Sequence, residues 1–122
     1  MSAENVALAR RGYEAVIRGD LDVIADVLDP EVKWHGGDPD DEAACHNRRE
    51  TLAFMRNARG GGPGELIDVV DAGDRVVVIM RARGEERLVA NLTTFRDGKV
   101  VEMVHYPEAA DALAAAGITP TG

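Results

Sequence analysis

Apolar residues recur at helical spacing in the first half of the chain and in alternation in the second half, the two periods of helix and strand. Val6, Ala9, Tyr13, Val16 and Ile17 predict a first helix, with Ser2 as its N-cap and Gly19 as its terminator. Asp20 caps a second, short helix carrying Leu21, Ile24 and Leu28, which Asp29-Pro30 ends. Val32 to His35 reads as a short strand and Gly36 to Ala44 as an acidic loop. Asn47, with Glu50 three residues later, predicts the start of a third helix running to about Ala58. Gly60 to Gly64 breaks the pattern as a hinge. Strands follow over Leu66 to Val70, Arg75 to Arg83, Arg87 to Arg96 and Lys99 to His105. Pro107 suits the first turn of a closing helix, and Gly117 ends it.

Asp97-Gly98 between the last two strands is a strong two-residue hairpin signal. With that turn, Arg96 faces Lys99, Phe95 faces Val100, Thr94 faces Val101, Leu92 faces Met103 and Ala90 faces His105. Strict alternation then puts Leu92, Met103 and His105 on one face with Ala90, Thr94 and Val101. Asn91, Thr93, Phe95, Val100, Glu102 and Val104 take the other. The middle strand divides into Val77, Ile79, Arg81 and Arg83 on one side and Val76, Val78, Met80 and Ala82 on the other. Helices first and antiparallel strands after predict an α+β domain, a bent sheet covered by helices on one face. The concave face of such a sheet is the natural place for a ligand pocket.

A length of 122 residues fits one domain spanning 1–122, with no internal repeat or linker. The net charge of −8 argues against a nucleic-acid partner, which needs a basic footprint. No apolar run approaches the length of a membrane span. The opening "MSAENVALARR" lacks the apolar stretch of a signal peptide, and Cys45, the single cysteine, has no intrachain partner. The expectation is a cytoplasmic protein without a membrane partner.

Among candidate residues, His105 stands out as a titratable group at the end of an apolar strand face. Imidazole, with an ordinary pKa of about 6.5, takes or gives a proton near neutrality. It reads equally as a general acid or base and as a pocket histidine that only hydrogen-bonds. Cys45 reads as a packed thiol, because the adjacent His46 diverges from it. The run Asp38, Asp40, Asp41 and Glu42 lacks calcium-loop spacing and reads as a solvated loop, a lid at most. His35, His46 and His105 are too scattered to argue a metal site. The glycines at Gly60 to Gly64 are not followed by the residues of a phosphate loop.

Three strings resemble the SnoaL-like branch of the NTF2-like superfamily, which includes ketosteroid isomerases, limonene-epoxide-type hydrolases and polyketide cyclases. They are "YEAVIRGDLDVIADVLDPEVKWHG" (Tyr13 to Gly36), "CHNRRETLAFM" (Cys45 to Met55) and "TTFRDGKVVEMVHYPEAADALAAAG" (Thr93 to Gly117), and together they cover most of the chain. The resemblance implies an NTF2-like cone of cystatin-like topology, a curved antiparallel sheet packed against three helices. It carries activity less far, because one fold hosts many chemistries. Gly12 stands where the isomerases carry their helix tyrosine, with Tyr13 one residue away, and Gly36 stands where they carry the aspartate base. His105 stands near the end of the last strand, where hydrolases and cyclases of this fold carry an acid. Arg81 matches the hydrolases' arginine, but Arg83 replaces its partner aspartate, so their Asp-Arg-Asp site is incomplete.

By this resemblance Arg81 and Trp34 point into the cone. The expected pocket is lined by Trp34, Phe54, Met55, Leu92, Met103 and His105, with Arg81 deeper; Tyr13 reads as a core aromatic with a wet tip, or as a substrate-binding residue with its hydroxyl in the cavity. The expected function is cofactor-independent isomerase, cyclase or hydratase chemistry on a small hydrophobic carbonyl or hydroxyl compound, with His105 as acid or base and Arg81 polarising the oxygen. The alternatives are a non-catalytic module binding a small hydrophobic molecule, and a dimerisation domain with a vestigial cavity. No metal is expected. A homodimer is expected through an outer face formed by Val76, Val78, Met80 and Ala82 with Phe95, Val100 and Val104, which is too apolar to leave in water.

Overall fold

The structure is a computed structural model describing residues 2–38, 40–57, 65–81 and 84–118. The expected glycine hinge at Gly60 to Gly64, the side chain of Ser2, Ala82 and Arg83 lie outside the described residues. The elements run α1 (Ser2–Arg18), α2 (Leu21–Val27), β1 (Leu28–His35), α3 (Arg48–Asn57), β2 (Glu65–Ala72), β3 (Arg75–Arg81), β4 (Leu88–Arg96), β5 (Lys99–Tyr106) and α4 (Ala109–Ala115). One five-stranded sheet has the order β1-β5-β4-β3-β2. It is antiparallel except at its edge, where β1 joins β5 in parallel.

The local signals behave as their chemistry requires. Asp20 Oδ1 accepts from the Val23 N–H at 3.3 Å and caps α2. The chain then turns directly into β1 at Leu28, four residues earlier than the strand expected from Val32. Leu28 is buried and pairs with Val100 on β5, so its apolar side chain serves the sheet and not the helix stripe. At α3, Asn47 Oδ1 accepts from the Glu50 N–H at 2.9 Å. The Glu50 carboxylate reaches back past the cap to the His46 N–H at 2.8 Å. Both features satisfy N–H groups that a helix start leaves unpaired.

The sheet separates two cores. The larger holds Val32, Val69, Val76, Val78, Phe95 and Val100 against Ala9, Tyr13, Ala15, Ile24 and Val27 of α1 and α2. The smaller, on the opposite face, packs Val77, Ile79, Ala90 and Leu92 against Ala109 and Ala112 of α4. The closing helix therefore covers the Val77–Ile79–Leu92 face, the side on which the pocket was expected. Val76, Val78, Met80, Phe95 and Val100, assigned above to a dimer surface, are buried in the larger core under α1 and α2. Val104 packs with the smaller core instead. The patch from which a homodimer was expected is not a surface.

The hairpin keeps its turn and loses its register. Arg96 pairs with Lys99 and Phe95 with Val100, as expected from the Asp-Gly turn. A bulge then intervenes, and the pairs become Thr94 with Glu102, Thr93 with Met103, Leu92 with Val104 and Asn91 with His105. The extra residue, Val101, reverses the facing of β5 relative to β4 beyond it. Thr93 and Asn91 thereby join Met103 and His105 on the concave face, while Leu92 goes to the other side.

Asp97 and Gly98 adopt φ of 54° and 77°, the left-handed values that a two-residue hairpin of the favoured twist requires. Glycine meets that requirement without a Cβ clash. Gly98→Ala is expected to cost about 1–2 kcal/mol and to lower the melting temperature by several degrees in a thermal scan. An unchanged midpoint would mean that the turn relaxes to another type.

Candidate functional site

The concave face and the helices above it enclose a cavity of about 300 Å³. α1 contributes Leu8, Ala9, Gly12, Tyr13 and Val16, and α2 contributes Ile24 and Val27. Trp34 enters from β1, and Phe54 and Met55 from α3. The sheet floor is Val78, Met80, Val89 and Val100, then the polar group of Asn91, Thr93 and His105 around Met103. No charged side chain other than this titratable imidazole lines the cavity among the described residues.

His105 is half-buried, and its Nδ1 lies 3.3 Å from Oδ1 of Asn91, its direct cross-strand partner. Burial lowers its pKa from the ordinary 6.5, and the positive charge of Arg87 lowers it further. Both effects favour the neutral imidazole. Tyr13 is buried in the opposite wall, and its phenol is pushed up to about 12 by burial and then by Glu65. It stays protonated at any working pH. Trp34 and Phe54 meet edge to face, with centroids 5.2 Å apart and planes at 77°, a favoured aromatic geometry. Phe54 is 55% exposed and so marks the side where the cavity meets solvent.

Of the residues expected at the site, Trp34, Tyr13, Phe54, Met55, Met103 and His105 line the cavity. Leu92 does not: it is buried in the smaller core beyond the sheet. Arg81 does not either. It shares a face with Val77 and Ile79, opposite the cavity, and its Nε stands 3.9 Å from a Glu65 carboxylate oxygen at the surface. The physical reason is the same for the whole strand. α1 and α2 cover the Val76–Val78–Met80 face, so that face is the inside. Asn91 and Thr93 were assigned to the wrong side by strict alternation. The missing signal is the bulge at Val101, which no turn residue marks.

The remaining candidates are structural. Cys45 is buried, and burial raises its thiol pKa, with a hydrogen bond to Thr51 opposing the rise. His46 turns away to Glu50, with Nδ1 at 3.0 Å from its carboxylate. His35 lies on the face opposite Trp34. Its Nδ1 accepts from the Gly37 N–H at 3.0 Å, and its Nε2 stands 2.8 Å from Glu102. Both ring nitrogens are thus committed to holding the end of β1. Asp38, Asp40, Asp41 and Glu42 are exposed, and none of them lines the cavity. Among the described residues, no three metal-ligating side chains cluster, and no helix is long and apolar enough to cross a membrane.

Several solved structures share this shape at low sequence identity. Bal32a, from a soil-derived mobile gene cassette, is 23% identical, with a TM-score of 0.72 over 86% of this chain and 89% of its own. An NTF2-like protein of Burkholderia xenovorans LB400 is 23% identical, with a TM-score of 0.69 over 95% and 97%. A candidate polyketide cyclase of Sinorhizobium meliloti is 18% identical, with a TM-score of 0.65 over 81% and 93%. Likeness at such identity establishes the NTF2-like fold and leaves activity open. None of the curated protein sequences matches the chain. The family described as SnoaL-like domain matches residues 9–103, most of the sequence and nearly every element that builds the cavity. The chain belongs to the SnoaL-like domain family.

Proposed function

We propose that this protein is a cofactor-independent enzyme acting on a small, neutral, hydrophobic carbonyl or hydroxyl compound, with His105 as its general base. The observation that carries the reading is an imidazole in the wall of a mostly apolar cavity, where burial lowers its pKa and favours its neutral form. Desolvation withholds the charge from the free ring, and a neutral ring is the form that accepts a proton. In such a site His105 takes a proton from the carbon beside a carbonyl, and the C–H electron pair passes into an enolate. The imidazolium returns the proton to the same or another carbon. Isomerisation and aldol-type cyclisation both begin with this transfer. Arg81 has no part in it, since it lies across the sheet. Tyr13, Asn91 and Thr93 are polar residues that share the cavity wall with the ring.

One observation favours the second reading, a non-catalytic binding module. No fixed cation lines the cavity among the described residues to stabilise an enolate oxygen, and preorganised charge stabilisation is commonly the largest part of such catalysis.

The test is solvent exchange. The protein is incubated in deuterium oxide with mono- and bicyclic ketones, and loss of their α-proton signals is followed by NMR. Trp34 is the only tryptophan and lines the cavity, so its emission reports occupancy in the same samples. Exchange that saturates with Trp34 binding, and that disappears in His105→Ala, supports the enzyme reading. Binding without exchange across the panel leaves the binding module. Carboxylates of the same skeletons are expected to bind more weakly than the ketones, because the wall offers no fixed positive charge among the described residues.

A further inference from the structure

We infer that Asn91 is a positioning residue that fixes the His105 ring with its proton on Nδ1 and its lone pair on Nε2, so that the cavity selects neutral hydrophobic molecules offering an O–H or an acidified C–H. The inference deepens the proposed function and rests on it for the chemical step, though not for the tautomer.

Neutral imidazole carries one proton on two nitrogens, and the neighbour of one nitrogen decides which holds it. The atom beside Nδ1 is the Asn91 side-chain carbonyl oxygen at 3.3 Å. That oxygen has no hydrogen to give, so Nδ1–H donates to it and Nε2 is left as an acceptor. The pairing is built into the sheet. Asn91 and His105 are directly opposite in the antiparallel ladder, where side chains on one face stand in contact distance. Both reach the cavity because of the bulge between the turn and this pair. Nε2 has no other hydrogen-bond partner among the described residues. Arg87, the nearby charge, brings positive potential against a second ring proton and is engaged by Glu85 at 3.3 Å.

The consequence is a direction for the chemistry. The first proton moves from ligand to Nε2, leaving its bonding pair on the ligand oxygen or carbon. The Nδ1–H bond to Asn91 persists in the imidazolium, which then returns the Nε2 proton. Reactions that begin by protonating the substrate, such as acid opening of an epoxide, start from the wrong form of the ring. Enolisable ketones, enols, phenols and alcohols start from the right one.

The tautomer is read directly by nitrogen NMR of isotope-labelled full-length protein above pH 6.5, the ordinary imidazole value that the folded ring lies below. Long-range correlations should show His105 Nδ1 protonated and Nε2 bare. Thr93→Val should leave that pattern unchanged, and Asn91→Ala should move the proton towards Nε2. A wild-type ring protonated on Nε2 overturns the assignment without any variant, and so does an Asn91→Ala protein with the wild-type pattern. For the ligand class, naphthol and methoxynaphthalene are titrated against Trp34 emission. Naphthol should bind roughly three- to tenfold more tightly, the range of one net hydrogen bond, and equal affinity overturns the selectivity. These readouts need no turnover. A bare Nε2 in a protein that exchanges no α-protons would defeat the catalytic proposal and leave this one standing.

Discussion

His105→Ala is expected to slow α-proton exchange by about 10²–10⁴-fold, the usual contribution of a positioned general base. Affinity for the same ketone should stay within a few-fold. Tyr13, Trp34, Met80, Val100 and Met103 also line the cavity, and the substitution leaves them in place. A loss confined to the rate identifies an interaction made in the transition state and not in the bound ground state. The pH profile gives the sign independently. The base is the neutral ring, so activity rises as pH climbs through the folded pKa. Burial first, and Arg87 second, hold that pKa below 6.5. The rate should therefore be flat across neutral pH and fall only on the acid side of the ordinary imidazole value. A midpoint above 6.5 would require a carboxylate beside the ring, and none lines the cavity among the described residues. If His105→Ala weakens binding and leaves exchange unchanged, another group is the base.

The contrast between His105 and Arg81 shows what this sequence reveals and what it conceals. Element order, both helix caps and the hairpin turn are local. They depend on side chains within a few residues of the backbone groups they satisfy, as Asp20, Asn47 and Asp97-Gly98 do. Facing is not local. In β3 both faces are apolar, Val76, Val78 and Met80 against Val77 and Ile79, because both are buried, one under α1 and α2 and one under α4. Alternation separates those two sets and cannot say which is inside. The short helix α4, with Ala109 and Ala112 as its buried residues, gives little sign that it covers a sheet. The error at Leu92 has a different origin. A single bulged residue, Val101, inverts the match between β4 and β5, and a valine in a β-rich run carries no mark of it. His105 and Met103 reach the cavity on the far side of that bulge, opposite Asn91 and Thr93 and not opposite Ala90 and Leu92.

Val76→Glu should unfold the protein or bring it close to unfolding, whereas Arg81→Ala should change almost nothing. Val76 has no exposed surface and belongs to the larger core between α1 and the sheet. It does not line the cavity, so a carboxylate there has no space in which to find water. An uncompensated buried charge costs about 3–5 kcal/mol, a large part of the roughly 5–15 kcal/mol that holds a domain of this kind together. The effect decides which side of β3 is inside. Had the Val76 face been the outer one, a glutamate would have been soluble and harmless, or would only have blocked a dimer. Arg81 provides the reciprocal measurement. Its side chain is 48% exposed and its Glu65 partner 67%, at 3.9 Å, and surface pairs of this kind contribute about 0–1 kcal/mol. Arg81→Ala should therefore keep the urea midpoint within error, and ligand affinity read by Trp34 should be unchanged for ketones and carboxylates alike. A stable, monomeric Val76→Glu protein together with an Arg81→Ala protein that loses carbonyl binding would turn the strand over and return the guanidinium to the cavity.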